Sequence, residues 1–64
     1  MSLLSRAWTI RNKTTERVTF LVDARSLTLG PRGEVTVDGP KSPSAQPGVA
    51  VLVASGALEV IQRG

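Results

Sequence analysis

The chain has no cysteine, no histidine and no tyrosine, and only two aromatic side chains, Trp8 and Phe20. Without cysteine there is no disulfide framework, and without cysteine or histidine there is no thiolate or imidazole zinc site. General acid–base work is left to Glu16, Asp23, Glu34, Asp38 and Glu59, none of which forms a recognisable pair. Such work needs positioned groups with tuned pKa values, usually deep in a pocket, and a domain this small has little room for one. No catalytic, cofactor-binding or metal-ligating residue is therefore expected, and the chain is read as a non-enzyme. Long apolar runs are also missing. The longest, Val49 to Ala54, falls far below the roughly 20 residues that cross a bilayer. The N-terminus lacks a basic region followed by an apolar stretch, so no signal peptide is expected. These absences predict a soluble intracellular protein with no membrane partner.

At 64 residues the chain predicts one domain with a small core. Domains of this size bury only about 60% of the surface their unfolded chains expose. Below about 70–80 residues a lone core seldom supplies more than roughly 3–5 kcal/mol. With the covalent and metal staples excluded, self-association or docking onto a partner is the expected supplement.

What is present is β patterning around Leu27 to Val37, LTLGPRGEVTV. Two short alternating runs flank Gly30-Pro31-Arg32-Gly33, the signature of strands joined by a tight reversal, either a hairpin or an arch. Residues 1–6 are expected to form an arm and 7–64 a single domain. Ala7 to Arg11 reads as a first strand with Trp8 and Ile10 on one face. Asn12 to Glu16 reads as a turn in which Asn12 can close on its own backbone. Arg17 to Asp23 reads as a second strand with Val18, Phe20 and Val22 inward. A hairpin of these two strands would build one apolar face. Leu21, on the opposite face, suggests cover from a neighbouring subunit. Residues 38–47, DGPKSPSAQP, hold three of the four prolines and are read as an exposed loop.

From Pro47 onward the valines fit either a strand or a helical face. Pro47 at a first helical position, Ser44 near the N-terminus and Gly56 as a C′ residue favour a short helix followed by a strand carrying Leu58 and Val60 inward. Two strands are the alternative, because β-branched valines are poor helix formers. The expected fold is mainly β, a small antiparallel sandwich or open barrel of about five strands with one short helix before the last.

The net charge is +3, from eight Lys+Arg against five Asp+Glu, and the basic residues are scattered singly. Nucleic-acid surfaces usually cluster their cations or interleave aromatics for stacking. A small basic β-barrel touching phosphates through Arg11, Lys13, Arg17 and Arg25 is kept as the alternative function, with nucleic acid not the expected partner. Gly30-Pro31-Arg32-Gly33 feeds a strand and spends one position on proline, so it is a turn and not a phosphate cradle. Asn12-Lys13-Thr14 matches a glycosylation sequon that has no meaning without secretion. Trp8 is read as core, with an exposed partner anchor as the other possibility.

The order of signals in Ile10-Arg11-Asn12-Lys13-Thr14, Val18-Thr19-Phe20, Leu27 to Gly33, Val35-Thr36-Val37 and Ser55 to Val60 resembles that of small structural proteins of tailed bacteriophages. The likeness spans residues 8–61. It implies a virion component made in the host bacterial cytoplasm: a capsid cement or decoration protein, or a small head–tail part. Its implied partner is a viral structural protein such as the major capsid protein, bound in many copies or as a homo-oligomer, with no cofactor. Leu3, Leu4, Arg32, Pro40, Lys41 and Pro43, in the arm, the turn and the proline-rich loop, are the candidate contact residues.

Overall fold

The computed structural model describes residues 6–39 and 41–63. Five strands form two antiparallel sheets. They are β1 (Arg6–Asn12), β2 (Val18–Val22), β3 (Arg25–Leu29), β4 (Glu34–Gly39) and β5 (Leu58–Gln62). One sheet has the order β4-β1-β5, and the other pairs β2 with β3. A 3₁₀ turn, Pro43–Ala45, and a helix, α1 (Pro47–Ala54), lie between β4 and β5. The mainly β sandwich with one short helix before the last strand is thus the fold, and the tail of the chain is helix then strand.

The first two strands do not form the expected hairpin. Trp8 lies opposite Val37 on β4 and Gln62 on β5, and Ile10 lies opposite Val35 and Val60. β2 instead pairs with β3, Phe20 opposite Leu27 and Val18 opposite Leu29. The inward faces follow the alternation, but Ile10 and Phe20 meet across the interior between sheets and not side by side within one. Ile10, Phe20, Val22, Leu29, Val49 and Leu58 form one buried cluster. Each such side chain contributes roughly 1.5–3 kcal/mol by leaving water. The Leu27–Val37 segment is accordingly an arch that carries the chain from one sheet to the other. Gly33 N–H donates to Gly30 O at 2.9 Å, and Arg32 sits at φ 61°. Pro31 at the second position and a positive φ at the third are the pattern of a type II turn.

Two local features differ from the sequence expectation. Asp23 and Ala24, read as strand end and connection, both have positive φ (52° and 63°) and make a two-residue turn, with β3 starting at Arg25. Two positive φ values match the right-handed twist of a hairpin, although glycine or asparagine usually supplies them. Described parts of the 38–47 stretch belong to regular elements and not to one exposed loop. Asp38 and Gly39 belong to β4, and Pro43 is buried at the start of the 3₁₀ turn. Ser42 caps that turn, its Oγ accepting from Ser44 N–H at 3.2 Å, while Ser44, expected near the start of the helix, lies within the turn and Gln46 holds the position before Pro47.

α1 begins with Pro47, whose missing N–H costs nothing at a helix start. It ends in a Schellman arrangement. Gly56, at φ 85°, donates to Val53 O (3.1 Å), and Ala57 N–H donates to Leu52 O (2.9 Å).

Candidate binding groove

Asn12 fixes how the layers meet. It is fully buried at the end of β1, on the inward face. Its Oδ1 accepts from the Thr14 N–H (2.9 Å) and hydroxyl (2.7 Å), which closes the expected turn. The backbone donor at Oδ1 orients the amide, so Nδ2 faces three carbonyls: Glu16 (2.7 Å), Gly30 (2.9 Å) and Leu29 (3.1 Å). One side chain therefore ties the β1–β2 loop to the C-terminal end of β3 and the arch. Asn12 N–H adds a bond to Gly33 O at 2.8 Å.

The opposite end of the β2–β3 hairpin is held by Gln46. This residue occupies the position before the helix, yet its side chain makes no cap. Instead Asp23 N–H donates to its Oε1 (2.8 Å), and its Nε2 donates to Asp23 Oδ1 (3.1 Å). The hairpin tip is thereby clipped to the start of α1.

Between this hairpin and β4 runs a groove of two lobes. One lobe, about 380 Å³, has Trp8, Val37 and Pro43 in its walls and Lys41 and Gln46 at its rim. The other, about 510 Å³, is bordered by Arg25, Leu27, Val35 and Thr36. Val22, Asp23, Val37 and Asp38 line both, so the two are continuous. Trp8 is buried at 8% exposure, and its Nε1–H donates to Gly39 O at 3.0 Å, fixing the indole against the β4 end. Trp8 is core, and it also forms a wall of the groove. β4 stands at the edge of its sheet, so the alternate amides and carbonyls that do not pair with β1 face away from the sheet.

A second surface is apolar. α1 reads PGVAVLVA and carries no polar or charged side chain. Val49 is buried on its inner side, whereas Val51 is 68% exposed. Leu21, on the outer face of β2, is 56% exposed. A Cβ placed on Gly48 would stand 3.8 Å from Leu21 Cβ, and Val51 follows Gly48 by one turn. Leu21, Gly48 and Val51 therefore form one uncharged patch.

The candidate contact residues are divided by the fold. Leu3, Leu4 and Pro40 lie outside the described residues. Lys41 and Pro43 come together at one lobe of the groove, Lys41 exposed and Pro43 buried. Arg32 is exposed in the arch that precedes β4, at the strand's other end, with its N–H donating to Thr14 O at 3.2 Å. Val37, Asp38 and the Asp23–Gln46 clip were not singled out from the sequence. The alternation Glu34, Thr36, Asp38 against Val35, Val37 was the available signal for an acidic strand over apolar neighbours.

Comparison with protein-family models, curated proteins and solved structures finds no match.

Arg11 and Arg25 lie in different sheets. Arg11 is bracketed on the outer face of its sheet by Glu34 on β4 (2.9 Å) and Glu59 on β5 (3.5 Å). Among the described residues no group of three or more potential metal ligands is found, and no helix is long and apolar enough to cross a membrane.

Proposed function

We propose that this protein is a non-enzymatic structural component of a bacteriophage virion, a cement or decoration protein that binds in many copies to the major capsid lattice. The observation that carries the reading is the uncharged patch of Leu21, Gly48 and Val51, with Val51 and Leu21 at 68% and 56% exposure. Among the described residues the buried apolar core amounts to seven side chains, and a domain with so little interior gains most from covering further apolar surface on a partner. A wholly apolar helix with one face in solvent is what a docking element looks like before it is docked. The resemblance of residues 8–61 to small structural proteins of tailed phages supplies the identity of the lattice.

The test is to raise an antibody against the folded protein and probe purified phage particles from cells that carry its gene. Regular labelling of the particle, in many copies per head, is expected. Its absence from particles while the protein is abundant in the lysate refutes the reading.

A further inference from the structure

We propose that the groove between β4 and the β2–β3 hairpin binds an extended segment of a partner protein, which joins β4 as an added strand and places one Lys or Arg, flanked by apolar residues, beside Asp38 and Asp23. This deepens the reading of the protein as a binding module and rests on it.

Three observations define the guest. First, β4 is an edge strand beside an open groove, with no strand paired on its outer side among the described residues. Backbone pairing with such an edge supplies affinity, and pockets for alternate side chains supply selectivity. Second, the inward side chains of β4, Val35 and Val37, join Val22, Leu27 and Trp8 in the walls, so every second guest residue meets an apolar surface. Third, charge is arranged along the groove. Asp23 and Asp38 line both lobes, whereas Arg25 borders one lobe alone and Lys41 the other. The middle favours a cation, and both ends disfavour one. Asp38 makes no ion pair among the described residues, so its charge is available to the guest.

The same charges disfavour a second copy in the register centred on Thr36. Two β4 strands paired antiparallel about Thr36 set Glu34 opposite Asp38 twice, and like charges directly opposite across a ladder are destabilising.

The experiment uses the intact protein and a seven-residue peptide, acetylated and amidated, in which valine and threonine alternate around a central arginine. Backbone amide shifts and the Trp8 indole signal are followed by NMR during titration. Shifts are expected in β4, the Asp23 turn and the Trp8 indole. A peptide with glutamate at the centre should bind about three- to tenfold more weakly, from the usual size of cross-strand charge pairs taken with both signs. The exposed Asp38→Lys variant should reverse that order.

Equal binding of the two peptides, shifts confined to β5 or α1, or no shifts at millimolar peptide would overturn the proposal. So would a dimer through β4 in the free protein, detected by sedimentation. Particle labelling without peptide binding removes the groove and leaves the virion reading. Peptide binding without labelling does the reverse.

Discussion

Replacing Asn12 by aspartate changes one NH₂ group to an oxygen of similar size, and it should nearly unfold the protein at neutral pH. The two donors at Nδ2 serve three carbonyls, of Glu16, Gly30 and Leu29, at 2.7–3.1 Å. A carboxylate there can still accept from Thr14 but faces three carbonyl oxygens without a proton. A buried acceptor left without its donor costs about 1–3 kcal/mol. The bond to Leu29 O is buried and those to Glu16 O and Gly30 O are partly so, which together implies about 3–4 kcal/mol. That equals most of the stability a domain of this size holds. For Asn12→Ala, which removes donors and acceptor alike, the same reasoning gives a melting temperature lowered by about 12–30 °C, at about 4–8 °C per kcal/mol.

The pH dependence isolates the cause. A carboxyl buried among carbonyls keeps its proton in the folded state, so its folded pKa lies above the unfolded value of about 3.9. Below about pH 3.9 both states of the variant are protonated, and the acid O–H donates to one carbonyl. Above it the unfolded state releases the proton while the folded state holds it. Stability therefore falls with rising pH, by up to about 1.4 kcal/mol per unit, until the folded pKa is passed. Urea unfolding of Asn12→Asp at a series of pH values, with the wild type as reference, measures this slope. A variant that loses less than about 1 kcal/mol at pH 7, or whose stability relative to wild type does not rise on acidification, refutes the role assigned to Asn12.

Ala24→Gly should raise stability by about 0.5–1 kcal/mol by relieving a left-handed φ of 63°, measured by thermal melting. Arg32→Gly should do the same at φ 61°; if Arg32 is also a partner contact, that variant gains stability while losing particle binding. Arg11→Ala should cost less than about 1 kcal/mol, since its ion pairs with Glu34 and Glu59 join side chains more than 40% exposed, and urea midpoints decide this. Val51→Lys should leave the melting temperature within a few degrees of wild type, because Val51 is 68% exposed, yet abolish incorporation into particles if the helix face is the lattice contact.

The sequence made side-chain direction readable but left strand partners open. Alternation placed Ile10, Phe20, Val22 and Leu58 inward, and all are buried. Proline at 47 and glycine at 56 marked both ends of α1 despite its valines, because each supplies a backbone property and not a propensity average. Pairing was harder. Trp8/Ile10 and Val18/Phe20 suit a ladder or a sandwich equally, since both arrangements bring apolar faces together. What separates them is Asn12, whose amide reaches Leu29 and Gly30, and residues so distant in the chain declare no such link. The turn at Asp23-Ala24 was hidden for a simpler reason: it lacks the glycine or asparagine that announces positive φ. The groove was legible only in part. Lys41 and Pro43 stand out in the sequence as loop residues, whereas Val37 and Asp38 gain their role from the vacancy beside β4, which is a property of topology.

That vacancy itself needs a cause, because an edge strand beside a two-stranded hairpin would ordinarily take it up and extend the sheet. A two-stranded hairpin alone is marginal in water, so pairing β2 or β3 with β4 would be favourable if the hairpin could move there. It is held at both ends. Asn12 binds the carbonyls of Leu29 and Gly30 where β3 ends. Gln46 binds both the N–H and the carboxylate of Asp23 at the hairpin tip. Phe20, Val22 and Leu29 are meanwhile committed to the core with Ile10 and Val49. A hairpin restrained at its two ends and along one face can only lie across the first sheet as a second layer. Gln46 forgoes capping the helix to make this restraint, and Asn12 is the one fully buried polar side chain among the described residues. Both polar groups thus act on the same coordinate, the separation of the hairpin from β4, and that separation leaves a strand's backbone open to a partner.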